Sequence, residues 1–258
     1  MTDSHDRIYI GTILLEINRH GGAKMPTFRV SEWLERFAAA GFDGVELWEN
    51  HAALAPEEEL TALAASPVPI AIYNGYAAFW DGSAGPAAST RLAARVGARA
   101  IKFNFTRDAS HSEEDIRGVA DWRAALPAGT AALCECHPGT IAETPGQAAA
   151  IFDRLGRDRY EAIVHPLTRP EGLREWFRAL GPMITHAHLQ ARGDDGQPVR
   201  LDRDPRLLSD TIRLLREEGF RGSYTLEFTE GMNRPGENIA DLWQNAVRDL
   251  AFLREALA

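Results

Sequence analysis

Cysteine is nearly absent: the chain of 258 residues carries two, Cys134 and Cys136. They are expected to project to opposite faces of a strand and to stay free thiols, a usage that suits a reducing cytoplasm. Basic runs and basic, aromatic-interleaved patches are also missing. Asp and Glu number 37 against 28 Lys and Arg, for a formal net charge of −9 and a pI near 5.4. An acidic surface repels phosphate backbones, so nucleic acid is not an expected partner. No apolar run approaches the roughly 20 residues that span a bilayer, which argues against a membrane partner. The start, MTDSHDRIYIG, shows no basic segment followed by an apolar one, so a cytoplasmic location is expected. No Gly-x-Gly-x-x-Gly follows the first β-type run, which ends LLEINRHGG, and no linker or low-complexity segment divides the chain.

What is present is a core and an alternation. Hydrophobic content of 45% and charged content of 25% are those of a globular protein. Short β-type runs fall at 8–14, 44–48, 68–73, 100–105, 131–135, 162–165, 183–188 and 223–227, and each is followed by a helical stretch. In SEWLERFAAAGF, Ser31 is placed to cap, Trp33, Leu34, Phe37 and Ala38 form one apolar stripe, and Gly41 ends the helix. Gly97 and Gly219 end later ones in the same way. Eight such units predict an α/β fold, a (β/α)8 TIM barrel, as a single domain over residues 1–258. A doubly wound open sheet would show fewer units or the missing glycine loop.

Barrel strands are buried on both sides, so polar residues in them need a reason. Many gather at the predicted C-terminal ends, where barrel active sites form. Glu16 and Asn18 follow the first strand, Glu46 and Glu49 the second, Tyr73 and Asn74 the third, and Lys102 and Asn104 the fourth. Glu135, with His137 beyond it, His165, His186 with His188, and Glu227 end the last four. Glu135, His165, His188 and Glu227 come one per strand at matching height, and two carboxylates with two imidazoles suit a divalent transition metal. Alternation sets His186 on the face of His188, as a supporting or substrate contact. Lys102 either holds an anionic oxygen or acts as an acid, or else pairs with Glu46 or Glu135. Trp48, Tyr73, Phe79, Trp80 and His137 offer a wall for a sugar ring, or a seal over the barrel. The long ARGDDGQPVRLDRD segment bears Arg192, Arg200 and Arg203 and has the length of a lid.

The runs GFDGVELWE, LCECHPGTIAETPGQA, ITHAHLQ and EEGFRGSYTLEFTEG resemble the sugar phosphate isomerase/epimerase superfamily, the xylose-isomerase-like barrels. The resemblance spans nearly the whole chain and implies one divalent cation held by Glu135, His165, His188 and Glu227. Mn²⁺ is its first choice, with Zn²⁺, Co²⁺, Mg²⁺ or Fe²⁺ as alternatives. His165 stands where the family carries aspartate, and Thr168 where its epimerases carry histidine. The resemblance further implies Glu135 and Glu227 as an acid/base pair moving a proton beside a carbonyl of a sugar, through a metal-stabilised enediolate. Glu46, Lys102, Asn104, His137, His186 and Arg192 are the expected substrate contacts. An unphosphorylated carbohydrate is the expected partner, and homo-oligomers are compatible with the family. Alternatives are a metal-dependent lyase on a keto-sugar or cyclitol, an endonuclease-IV-like phosphodiesterase and a metal-free sugar-binding barrel.

Overall fold

A β-type run followed by an amphipathic helix buries its apolar side chains only when the helix packs back over the strand, and repetition of that unit closes a ring. The computed structural model describes residues 6–168 and 170–258. The ring comprises β1 (Ile8–Gly11), β2 (Gly44–Trp48), β3 (Ile70–Asn74), β4 (Ala100–Phe103), β5 (Ala131–Glu135), β6 (Glu161–Val164), β7 (Ile184–Leu189) and β10 (Ser223–Leu226). It closes in the order β1-β10-β7-β6-β5-β4-β3-β2, with every pairing parallel. The remaining pair, β8 (Ala191–Arg192) and β9 (Pro198–Val199), is an antiparallel hairpin inside the long segment after β7. The expected lid segment is therefore structured.

Helices α1 (Leu34–Ala40), α2 (Asn50–Ala53), α3 (Glu57–Ala65), α4 (Gly85–Arg95), α5 (Ser112–Ala125), α6 (Pro145–Leu155), α7 (Leu173–Leu180), α8 (Pro205–Glu217) and α9 (Ile239–Leu257) surround the strands. The main apolar core lies between them and the outward strand faces, where Ile8, Ile10, Val45, Leu47 and Ala187 are buried. A smaller cluster that includes Tyr9, Ile72, Ala100, Leu133 and Ile163 fills the inside. Above that plug, inward positions are polar, which is what a site at the mouth requires.

Strand ends move where a side chain competes for the backbone. β1 stops at Gly11, short of position 14, because the chain turns into a 3-10 helix, Thr12–Leu15. Thr12 Oγ1 there accepts from Trp48 N at 2.9 Å and bonds His51 Nδ1 at 2.8 Å. Ser31 does not cap α1: Val30–Glu32 is a 3-10 turn, and Ser31 instead donates from N and Oγ to Glu59 at 2.9 and 2.5 Å. Gly41 does end α1, at φ 102°, where only glycine is unstrained. Cys134 and Cys136 belong to the same buried core cluster, so the opposite-face expectation is corrected. Residues two apart on a strand share a face. Both are free thiols.

One close approach shapes the rim. A Cβ on Gly118, in α5, would lie 2.1 Å from Phe79 O, so the helix seats directly against the backbone of the loop between β3 and α4. Gly118→Ala is expected to cost at least about 1–3 kcal/mol, the range for overpacking, because a carbonyl cannot rotate away as a side chain can. Urea unfolding of the variant checks this.

Candidate metal centre

Parallel strands bring their C-terminal ends to one rim, and four of them bring a ligand type each. Glu135 ends β5, His165 follows β6, His188 lies in β7 and Glu227 follows β10. One potential ligand atom from each falls within 4.8 Å of all the others. His165 Nε2 is 2.9 Å from Glu135 Oε1, and His188 Nδ1 is 3.8 Å from the same oxygen and 3.5 Å from Glu227 Oε2. Glu135, His188 and Glu227 are buried, while His165 is half-buried.

Buried polar side chains behind the four hold them in place. His188 Nε2 donates to Glu46 Oε2 at 3.1 Å, and Asn74 donates to Glu46 Oε1 at 2.7 Å. This leaves His188 Nδ1 buried, without a hydrogen-bond partner and aimed between Glu135 and Glu227. Lys102 Nζ lies 2.8 Å from Glu135 Oε2 and donates to Asn104 Oδ1 at 2.7 Å. Asn104 Nδ2 in turn donates to Glu135 Oε2 at 3.0 Å. The Lys–Glu pair is thus real, and it sits at the site's edge. His186 lies one inward step deeper, stacked over Tyr9 and bonded to Ser223 and Thr225 hydroxyls at 2.8 and 2.9 Å. It stands 3.5 Å from Glu46, below the four-residue cluster, so it supports rather than faces the mouth.

The electrostatics follow from this packing. Burial pushes Glu135 up, but Lys102, His165 and His188 outweigh it and hold the carboxyl well below the usual range. Burial likewise opposes the charge on Glu46, and His188 and His186 overcome it. Burial disfavours the His188 imidazolium, yet Glu46 and Glu227 hold it well above the usual histidine value. His186, dominated by burial, is pushed down and stays neutral.

His137 stands at the mouth, its Nδ1 2.7 Å from Pro138 O and 3.2 Å from Arg107 Nη2. Arg192 is exposed on the hairpin and donates to Gln190 Oε1 at 3.0 Å. Gln190, whose role the sequence did not announce, donates from Nε2 to Glu227 Oε2 at 2.9 Å and to His165 Nδ1 at 3.0 Å. Its only signal was an amide at the end of the ITHAHLQ run. Of the proposed aromatic wall, Trp48, Tyr73 and Phe79 are buried; Trp80 alone is open, while His137 is half-buried. Glu16 belongs to a structural network with His51 (2.9 Å) and Thr27, away from the cluster. Arg200 and Arg203 pair with Glu230, and Arg203 lines a cavity beside the hairpin together with Arg192.

No protein-family model matches the chain, and no curated protein matches it by sequence. Solved structures do. D-psicose 3-epimerase, solved in the presence of D-fructose, superposes with a TM-score of 0.73 at 16% identity, over 97% of this chain and 99% of that one. The probable 3-DHS dehydratase AsbF from Bacillus anthracis gives 0.69 at 16%, over 95% and 98%. A xylose isomerase-like TIM barrel protein from Mycobacterium smegmatis, in complex with magnesium, gives 0.67 at 17%, over the full length of both. The fold is that of the xylose-isomerase-like TIM barrels. Among the described residues no helix is long and apolar enough to cross a membrane.

Proposed function

We propose that the barrel mouth is a divalent-metal site at which Glu135 and Glu227 move a proton on a carbon beside a sugar carbonyl. The observation that carries this reading is the unpartnered, buried His188 Nδ1 aimed between two carboxylates. A lone pair so placed is costly unless a cation or proton meets it. The spacings of 2.9, 3.5 and 3.8 Å bracket the ligand–ligand edges of about 3–3.5 Å that bonds of about 2.0–2.2 Å require. Charge agrees. With the His188 proton displaced by the ion, Glu46, Glu135 and Glu227 carry three negative charges against one on Lys102, leaving two for a divalent ion to neutralise.

Glu46 fixes the His188 tautomer by accepting a hydrogen bond from Nε2–H, as a carboxylate commonly does behind a ligating histidine. For His165 to offer Nε2, its Nδ1 must carry the proton; Gln190 then turns its amide to accept there, its Nε2 leaving Glu227 Oε2 to the ion and its Oε1 leaving Arg192. A bound divalent ion supplies Lewis acidity to a carbonyl and its neighbouring hydroxyl. The rest is protein chemistry. Among the described residues only Gln190 donates to Glu227, at Oε2, so Oε1 is open to take a carbon-bound proton. Glu135, ionised at rest, draws a proton from the Lys102 ammonium 2.8 Å away and delivers it from its own side of the mouth, while Glu227 releases the proton it took to solvent. Lys102 adds positive charge near the oxygen that becomes negative. Return to the opposite face gives epimerisation, and return to the neighbouring carbon gives aldose–ketose isomerisation.

The test is metal content together with exchange of carbon-bound hydrogen into D2O, across ketoses and keto-cyclitols. About one divalent ion per chain is expected. Both Glu227→Gln and His165→Ala should lower it, and Glu227→Gln should lower exchange by 10²-fold or more. Wild-type protein that stays metal-free after reconstitution with Mn²⁺, Co²⁺ or Zn²⁺ would remove the metal mechanism.

A further inference from the structure

Two cavities flank the cluster, and His137 lines both. One, of about 270 Å³, lies over β5–β7 and is bounded by His165, Gln190, Arg192 and Trp176. The other, of about 320 Å³, lies over β3–β5 and is bounded by Tyr76, Trp80, Asn104, Arg107 and Thr140. Each alone is at the lower limit of the roughly 300–1,000 Å³ that ligand pockets occupy. A ligand crossing His137 would use both.

The two compartments differ in chemistry. The β5–β7 cavity reaches both members of the acid/base pair, Glu227 through Gln190 and Glu135 through His165. The β3–β5 cavity reaches Glu135 alone, through Asn104, and its floor is aromatic. Tyr76 is 47% exposed and Trp80 39%, two of five large apolar side chains left open among the described residues. All five, with Ile17, Met25 and Leu54, lie on the loops after β1–β3. Both aromatic rings are pre-set. Trp80 stacks on His111 at 4.0 Å and 10°, and Tyr76 covers Lys102 Nζ at 3.8 Å. Arg107 forms no ion pair among the described residues, and beside His137 it keeps guanidinium donors free at the boundary between the cavities.

We infer that the site takes a two-ring carbohydrate, a glycoside whose reacting ring lies over the four-residue cluster and whose second ring lies on Tyr76 and Trp80. This rests on the proposed function and extends it to substrate class. An apolar sugar face against pre-set aromatic rings accounts for open side chains that otherwise expose apolar area to water. Arg107 and His137 then face the oxygens at the link between the rings.

The test is binding, independent of turnover. Zinc-loaded protein is titrated with glucose and galactose, and with cellobiose, maltose and lactose, following saturation transfer to each ring. At least one two-ring sugar is expected to bind tenfold or more tightly than its component monosaccharides. Trp80→Ala should reduce that ratio to near one, and Trp80→Phe should keep part of it, which separates loss of the ring from loss of folding. Two-ring sugars that bind no better than single rings, or a ratio that survives Trp80→Ala, would overturn the proposal. Protein that loads metal and exchanges monosaccharide protons while showing no such ratio refutes the second ring alone. Protein that loads no metal and exchanges nothing refutes the functional reading and this one with it.

Discussion

Replacing Lys102 with methionine is expected to destabilise the metal-free protein by about 3–5 kcal/mol, the usual cost of stranding a buried charge. The same change should tighten its hold on a divalent cation. Lys102 is 1% exposed, and its ammonium lies 2.8 Å from Glu135. Burial works against that charge, and Glu135, Tyr76 and Glu46 outweigh it, so the lysine is held charged. Methionine keeps most of the stem's volume and removes the ammonium. Glu135 then retains Asn104 and His165 as donors but loses its nearest full positive charge.

A divalent ion beside Glu135 would replace that charge twice over, so the loss should shrink when metal is present. Affinity should move the other way. With the His188 proton displaced by the ion, the cluster goes from two uncompensated negative charges to three, and in a buried site one such charge is worth roughly tenfold or more in cation binding. Urea unfolding with chelator and with excess Zn²⁺ reads the first effect, and competition with a chromogenic chelator reads the second. Equal losses in both conditions, with unchanged affinity, would mean that Lys102 acts through packing and hydrogen bonding, not charge.

The cluster was legible because its logic is topological. Parallel strands of a closed ring end at one rim, so one Glu or His per strand end on strands five to eight must converge. The β/α alternation was legible for the same reason. Strand ends were not, since Thr12 leaves the ladder to bond Trp48 N and His51, a choice set by a contact 36 residues away. Of the aromatic wall, Tyr73 was misread on parity: Asn74 points into the barrel, so Tyr73 before it points out and is buried in the outer core. Gln190 escaped notice because an amide has no distinguishing chemistry until it lies between Glu227, His165 and Arg192. The cysteine pair was misplaced by the same alternation rule, wrongly applied.

Asp249→Asn is expected to flatten the pH dependence of stability across the acid-to-neutral range and to stabilise the protein above pH 7. Asp249, in α9, is 2% exposed; its Oδ1 accepts from Leu201 N at 2.8 Å and its Oδ2 from Thr229 Oγ1 at 2.5 Å. Burial pushes it up to about 7. Thr229 and the Leu201 amide oppose the rise, and of the nearby charges Asp202 adds to it while Arg200 opposes it. A raised carboxyl means that the folded state keeps a proton the unfolded chain releases near 4. The proton's contribution is therefore complete below about pH 4, declines as pH rises, and is gone once pH passes about 7. Some three units correspond to about 4 kcal/mol. Asparagine keeps an acceptor for Leu201 N and can donate to Thr229, without ionising. The difference in urea-unfolding free energy between variant and wild type, followed from pH 4.5 to 8.5, should therefore grow with pH and level off above 7. A difference independent of pH would show that Asp249 titrates normally in the folded protein. The consequence reaches the site, because Thr229 lies two residues past Glu227 and Leu201 begins the turn after β9. Ionising Asp249 leaves a buried charge, only partly offset by its two donors, beneath the contact that anchors both loops. Amide exchange around Thr229, corrected for its intrinsic pH dependence, should accelerate above pH 7 in the wild type and not in the variant.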